Sequence, residues 1–153
     1  MFNLLNVENK VELELSVENY QFPDSPKDDW CFVKTVVKQG DDTFEVIDPA
    51  LETTELLSML EWFRCLAGRK LPRYARLSFT EPCLEFEFLA CRGDSVRIAI
   101  NLSHEMKPNF DLKQFGLPPS EWKVVFELEK NDFDKVIPGI EAAIMRCPVR
   151  DQS

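Results

Sequence analysis

Glycine and histidine are both scarce in this chain, and their scarcity excludes several classes of enzyme. The five glycines among 153 residues never form a GxGxxG or GxxxxGK[ST] arrangement, the two patterns whose loops cradle phosphate groups in nucleotide-binding proteins. The single histidine, His104, leaves one candidate general base for nucleophilic catalysis, and no nucleophile-elbow sequence accompanies it. The residue pattern therefore predicts no catalytic residue.

Closely spaced metal ligands are missing as well. Zinc sites need clustered cysteine and histidine ligands, usually as Cys-x-x-Cys pairs. The odd number of cysteines, their wide spacing and their apolar neighbours instead predict reduced, structural thiols; these are Cys31, Cys65, Cys83, Cys91 and Cys147. Asp24, Asp28 and Asp29 lie close together but lack the glycine and closing glutamate of an EF-hand loop. We therefore expect neither a metal nor a cofactor.

Long hydrophobic runs are absent too. No apolar run approaches the roughly 20 residues that span a bilayer, and residues 1–10 contain no cationic region followed by an apolar stretch, the pattern typical of a secretion signal. We expect a cytoplasmic protein that does not bind a membrane.

Acidic residues outnumber basic ones by 27 to 18, which gives a formal net charge of −9. This balance works against binding to nucleic acid or anionic membranes and would attract a basic partner. With 44% hydrophobic and 29% charged residues, the composition is that of an ordinary globular protein. A chain of this length can bury one substantial core, so residues 1–153 are expected to form a single domain.

Strand-like alternation dominates the chain. Val11, Leu13 and Leu15 alternate with Glu12 and Glu14, which predicts a strand with one apolar and one acidic face. Similar patterns predict strands at 30–38, 43–47, 77–79, 84–88, 95–102 and 122–128, with turns at 40–42 and 92–94. Residues 104–120 contain three prolines and little periodicity, which predicts a long loop.

Two segments have helical spacing. Residues 52–67 place apolar side chains on one helical face, with Thr53 as a candidate cap and Gly68 as a candidate stop. A second helix is predicted after Asn131, with a kink or the start of regular helix near Pro138. Consecutive hairpins with two segregated helices favour an α+β fold: a mainly antiparallel sheet of about six to seven strands, with both helices packed on one face.

Acidic side chains recur on the polar face of the predicted strands. Glu85 and Glu87 lie about 6.6 Å apart along their strand, a separation that overlaps the one used by inverting glycosidases. Because Glu12 and Glu14 repeat the spacing, a solvent-facing surface explains the pair better than catalysis does. The acidic face is then either the ordinary wet side of a sheet or a surface that meets a basic protein.

Several short blocks, distributed over nearly the whole chain, resemble the WapI-like family of immunity proteins, the partners of wall-associated contact-dependent toxins. The blocks are Tyr20-Gln21-Phe22-Pro23 with Asp28-Asp29-Trp30, Glu52-Thr53-Thr54-Glu55-Leu56 with Trp62, Leu77-Ser78-Phe79-Thr80-Glu81-Pro82, His104-Glu105-x-x-Pro108, and the terminal Cys147-Pro148-Val149-Arg150. The resemblance implies a bacterial, cytoplasmic antidote that binds one polymorphic toxin and blocks it by occupancy. In the type member, that toxin cleaves tRNA.

The resemblance brings no established toxin contacts, so the candidate interface follows from charge alone. We predict that a basic toxin meets acidic side chains of this protein, namely Glu12, Glu14, Glu85, Glu87, Glu127, Asp28 and Asp29. Two alternatives stay open: a small hydrolase that uses His104 with acidic partners, and a regulatory domain that binds another protein. A pocket containing His104 and Glu105 would favour the hydrolase, whereas a surface His104 would argue against it.

Overall fold

The computed structural model describes residues 1–113 and 122–150, and within them the chain forms eight strands and two α-helices. In chain order these are β1 (Phe2–Asn6), β2 (Val11–Tyr20), β3 (Trp30–Gln39), β4 (Asp42–Glu52), α1 (Thr53–Ala67), β5 (Arg76–Ser78), β6 (Leu84–Arg92), β7 (Ser95–Leu102), β8 (Lys123–Leu128) and α2 (Lys130–Arg146). A single 3-10 turn, His104–Met106, follows β7. The predicted α+β class is confirmed; residues 114–120 of the predicted loop lie outside the described residues.

The strands form two antiparallel sheets of four strands each. Sheet A has the order β1-β2-β3-β4 and sheet B the order β5-β6-β7-β8. The division falls where α1 and the connection after it separate β4 from β5, so the chain leaves one sheet before it begins the next. Alternation in the sequence identifies the strands and their faces, but it does not show where the neighbouring strands stop pairing. The Asn6 side chain, at the end of β1, donates a hydrogen bond to the Val125 carbonyl of β8.

The core joins both sheets and both helices. Its centre is an aromatic cluster in which the Phe63 ring of α1 lies 5.7 Å from the Phe2 ring of β1 and 5.5 Å from the Phe86 ring of β6. Trp62 of α1 lies 5.8 Å from the same Phe86 ring. These tilted and edge-on contacts suit the ring quadrupoles. Of the inward residues of β2 and β6 predicted from alternation, Leu13, Leu15 and Phe86 are fully buried, whereas Phe88 is only partly buried.

Both helices begin with a capping box whose cap is a glutamate. At α1 the cap is Glu52 instead of the predicted Thr53: the Glu52 N–H donates to the Glu55 carboxylate at 2.9 Å, while the Glu52 carboxylate accepts the N–H of Glu55. At α2 the cap is Glu129 instead of Asn131, with Asp132 as the reciprocal partner. Each reciprocal pair satisfies two backbone donors, one more than a lone threonine or asparagine cap would.

The helix ends also differ in detail from the sequence expectation. Gly68 ends α1 as predicted, but the left-handed residue is Arg69, with φ at 56°. The Arg69 and Lys70 N–H groups donate to the carbonyls of Leu66 and Cys65, which is the Schellman arrangement. Helix α2 runs through Pro138 without restarting there.

Helix α2 packs closely on the first strand. A Cβ atom at Gly139 would stand 1.7 Å from the Met1 carbonyl oxygen, so only glycine allows this approach. Neither helix in the described ranges is long and apolar enough to cross a bilayer.

Candidate partner-binding surfaces

The outward face of sheet A carries Glu12 and Glu14 in an open arrangement. Glu12 accepts a hydrogen bond from the Asn3 amide at 2.9 Å and stands opposite Lys38 in the strand register. Glu14 is exposed and stands opposite Asn3 and Val36. Among the described residues, neither carboxylate forms a direct ion pair.

Sheet A is acidic but not uniformly so. Glu18 and Glu45 are also exposed on its strands, and Glu45 pairs with Lys34 at 3.0 Å. Lys34 and Lys38 therefore interrupt the acidic surface, but neither forms a direct ion pair with Glu14. A cation from a partner could reach Glu12 or Glu14 without displacing an internal ion pair.

On the outward face of sheet B, acidic and basic side chains pair with one another. Glu87 lies 2.7 Å from the Lys123 ammonium and 3.6 Å from the Arg76 guanidinium. Arg76 also lies 3.9 Å from Glu85, which accepts a hydrogen bond from the Ser78 hydroxyl at 3.0 Å. The three strands β5, β6 and β8 thus supply one connected cluster of charges that is close to neutral.

Glu127 follows the same pattern on β8. It stands opposite Arg97 of β7 in the register and pairs with it. The hydrogen bond from Arg97 lowers the pKa of the Glu127 carboxyl below its usual value. Glu85, Glu87 and Glu127 therefore lie on sheet B, whereas Glu12 and Glu14, which were expected on the same sheet, lie on sheet A. Each of the three on sheet B already has a basic partner.

Asp28 and Asp29 have internal roles in the loop between β2 and β3. The Asp28 carboxylate accepts the N–H of Trp30 at 3.1 Å. Asp29 is only 5% exposed; its carboxylate accepts the N–H of Arg150 at 3.1 Å and its carbonyl accepts the N–H of Thr53 at 3.0 Å. Both aspartates therefore fix the loop and its junctions with α1 and the chain end.

The chain end completes this loop through Arg150, a role that sequence reasoning missed. The guanidinium donates to four loop carbonyls, those of Phe22, Pro23, Ser25 and Asp28. It also lies 3.5 Å above the centre of the Tyr20 ring, a cation–π contact. Two blocks of the family resemblance, residues 20–30 and 147–150, are thus one structural unit. Both blocks could be identified in the sequence, but their spacing along the chain cannot show that they contact each other.

The cysteines are all free thiols, as predicted. Cys31, Cys83 and Cys147 are buried, but Cys91 is exposed near the β6–β7 turn, which corrects the expectation that all five have apolar surroundings. Burial raises the pKa of the Cys31 and Cys83 thiols to about 12, so both are protonated at neutral pH and poor nucleophiles.

His104 lies at the surface, in the 3-10 turn after β7. Its side chain is exposed and its φ is 51°. Glu105 is exposed too; its charge and that of Glu81 add to burial in raising the pKa of Asp48. Neither of the two grooves outlined below includes His104. This placement argues against the hydrolase hypothesis.

The described surface includes two grooves. The larger, of about 660 Å³, lies between the end of α1, the β6–β7 turn and the start of α2, and it is lined by both acidic and basic side chains. The smaller, of about 430 Å³, lies on the outer side of α1 and reaches Lys70. In the described part of the chain, no three histidine, cysteine, aspartate or glutamate side chains are grouped as a metal site would require.

In comparison with protein families, the model of the immunity protein WapI-like family matches residues 4–148. This range includes the first four blocks named above and the first two residues of the terminal block. Comparison with curated proteins and with solved structures finds no match.

Proposed function

The chain belongs to the WapI-like immunity protein family, and we propose that it neutralises one cognate toxin in the bacterial cytoplasm by binding it. The family match over residues 4–148 carries this proposal. Inhibition by occupancy needs affinity and no chemistry of its own, because an interface of ordinary size, about 1,600 Å², can cover the substrate site of a small toxin domain.

We propose that the toxin surface is basic and that it meets the outward face of sheet A. Glu12 and Glu14 are the leading contacts because no ion pair has to break before they bind a cation. The net charge of −9 would accelerate the encounter with a basic surface such as a nuclease cleft. The acidic residues of sheet B would add contacts only if cations of the toxin replaced their present partners. These residues are Glu85, Glu87 and Glu127, and their partners are Arg76, Lys123 and Arg97.

For Asp28 and Asp29 we propose an indirect contribution. Their hydrogen bonds hold the loop at 21–29 in one conformation, and this loop exposes Phe22 to solvent. A loop fixed before binding loses little conformational entropy when it meets a partner.

The direct experiment is co-expression with a candidate toxin encoded by an adjacent gene. Cells should survive toxin induction only when this protein is present, and the two purified proteins should form a 1:1 complex by size-exclusion chromatography with light scattering. Toxicity that persists in its presence, together with separate elution of the two proteins, would contradict the proposal.

A further inference from the structure

A basic segment stands out against the acidic remainder of the chain. Residues 62–80 contain five of the 18 basic residues and none of the 27 acidic ones; the five are Arg64, Arg69, Lys70, Arg73 and Arg76. Four of them fall in residues 69–76, named here the basic segment, which connects α1 to β5. In a protein of net charge −9, this concentration creates a local field of opposite sign.

The basic segment also exposes large apolar side chains. Leu71 is 78% exposed and Tyr74 57% exposed. Beside them, the smaller groove on α1 is lined by Leu57, Leu60, Glu61, Arg64, Cys65 and Lys70, and its Leu57 is 44% exposed. Because Lys70 belongs to both the groove and the segment, the two form one continuous surface of cations and apolar groups, interrupted in the groove by the exposed Glu61.

Hydrogen bonds fix the backbone of the segment at both ends. At its start, the Lys70 N–H donates to the Cys65 carbonyl at 2.8 Å. Further along, the Tyr74 carbonyl accepts the indole N–H of Trp62 at 3.0 Å, and the Ala75 carbonyl accepts the N–H of Phe88 at 2.7 Å. The exposed side chains therefore project from a backbone that is already in place, which lowers the entropic cost of binding.

Two of the cations are available to a partner. Arg64 pairs with Glu141 at 3.3 Å, Arg76 pairs with Glu87, and the Arg69 guanidinium donates to the Gly93 carbonyl at 2.6 Å. Lys70 and Arg73 form no ion pair with any described residue, although the Arg73 guanidinium lies 5.3 Å from the centre of the Tyr74 ring. These two charges stand beside Leu71 and Tyr74 in the sequence. Cations next to exposed apolar groups favour a ligand that carries both carboxylates and apolar side chains.

We infer that the basic segment and the groove on α1 dock an acidic segment of the toxin that also carries apolar side chains. The inference rests on the proposed function and names a second contact for the same partner. Carboxylates of the toxin would pair with Lys70 and Arg73, and an apolar side chain would cover Leu71 and Tyr74. With the acidic sheet A, the protein then presents both signs of charge, which fixes the orientation of the toxin and rejects partners that carry one sign only.

A protein segment fits this surface better than a nucleic acid does. The exposed leucines on α1 and in the basic segment gain nothing from a phosphate backbone, and the acidic remainder of the chain repels a long polyanion. A short acidic segment meets only the local positive field, because its charge is confined to the contact.

The test compares two double charge reversals that change the net charge equally. Lys70→Glu/Arg73→Glu alters the basic segment, while Lys10→Glu/Lys135→Glu alters exposed lysines on the β1–β2 turn and on α2. Toxin binding is measured by biolayer interferometry with purified toxin. We expect the first variant to bind about tenfold or more weakly and the second to stay within about threefold of the unaltered protein.

A variant that removes the exposed apolar side chains separates the contribution of apolar contact from that of charge. Leu71→Ser/Tyr74→Ser should weaken binding about fivefold, and the loss should persist at high salt because burial of apolar area is not screened. If the Lys70→Glu/Arg73→Glu protein is not folded by circular dichroism, Lys70→Gln/Arg73→Gln replaces it, with an expected weakening of about threefold or more.

The outcomes distinguish this inference from the function on which it rests. Toxin binding within threefold of the unaltered protein in the Lys70 and Arg73 variant would overturn the inference alone, as would equal losses in the two charge reversals. Binding of fluorescent tRNA that this variant loses, with toxin affinity intact, would assign the surface to nucleic acid instead. An unaltered protein that fails to bind the toxin would remove both the inference and the proposed function.

Discussion

The two sheets present acidic side chains on their outward faces in different ways. On sheet A, Glu12 and Glu14 form no ion pair with a described residue. On sheet B, Glu87 lies between Lys123 and Arg76, and Glu127 pairs with Arg97. The same alternation of apolar and acidic residues therefore produces two different surfaces. The acidic side chains of sheet A are open to a cationic partner, whereas those of sheet B are paired with basic side chains of the same sheet. The comparison shows that a row of acids becomes a candidate interface only where neighbouring strands leave it unpaired.

Reversal of the sheet A charges is expected to have the largest effect. In Glu12→Lys/Glu14→Lys, two attractive contacts with the toxin become repulsive, so we expect affinity to fall about 100-fold. Thermal stability should fall slightly, because Glu12 loses its hydrogen bond from Asn3 and a lysine there stands opposite Lys38, but no ion pair is broken. Isothermal titration calorimetry with the toxin measures the first quantity, and the melting temperature checks the second. If the variant bound the toxin as tightly as the unaltered protein, the unpaired acidic residues of sheet A would not matter for toxin binding.

Reversal of the Glu87 charge should mainly lower the stability of the fold and have less effect on affinity for the toxin. The Glu87 side chain is only 16% exposed and lies beside two cations, so Glu87→Lys places three positive charges together in a half-buried position. We expect a loss of about 2 kcal/mol in the free energy of unfolding, measured by urea titration. Glu87→Gln is the matched control and should lose less. Equal stability of Glu87→Lys and the unaltered protein would show that the charge cluster on sheet B is not structural.

Substitution of Gly139 tests how firmly the edge of sheet A is anchored. A methyl group in Gly139→Ala would overlap the Met1 backbone and push β1 away from α2. We expect a loss of about 1–2 kcal/mol in unfolding free energy. The exposed Ala142→Gly change on the same helix provides a comparison, since it costs about 1 kcal/mol through helix propensity alone. Faster amide exchange in β1, with sheet B unaffected, is the signature that distinguishes strand displacement from a general weakening.

The smallest expected effect concerns pH. Because the folded-state pKa of Glu127 is lowered by Arg97, its ion pair stabilises the fold above the ordinary glutamate pKa. That contribution is lost as the pH falls through the lowered folded-state value. Arg97→Gln should therefore reduce the acid sensitivity of stability slightly, since the pair is exposed. Parallel melting curves at neutral and acidic pH measure the difference, and an unchanged pH profile would show that the pair contributes nothing.

Much of the fold could be predicted because local patterns determine it. The alternation around Leu13 and Phe86 identified buried and outward faces, and the apolar spacing before Gly68 identified α1. The α+β class and the WapI-like family are both confirmed. The caps were assigned wrongly because Thr53 and Asn131 have favourable side chains, whereas the reciprocal pairing of two acidic residues decides where each helix begins.

Contacts between distant segments could not be predicted. Arg76 and Lys123 reach Glu87 from two other strands, so the neutralisation of sheet B depends on register. Arg150 binds a loop more than 120 residues away. The candidate interface residues themselves, Glu12, Glu14, Glu85, Glu87, Glu127, Asp28 and Asp29, remain predictions that binding measurements must decide.

The most direct test of the central claim is the rate of association with the toxin as a function of salt concentration. The unaltered protein, Glu12→Lys/Glu14→Lys and Glu85→Lys/Glu87→Lys would be compared by stopped-flow fluorescence. If sheet A meets a basic toxin, the first variant should associate more slowly and lose most of the salt dependence, while the second changes less. Equal rates and salt dependence for the unaltered protein and the sheet A variant would contradict the claim and leave the basic segment and the loops at 19–29 and 104–120 as the remaining candidate contacts.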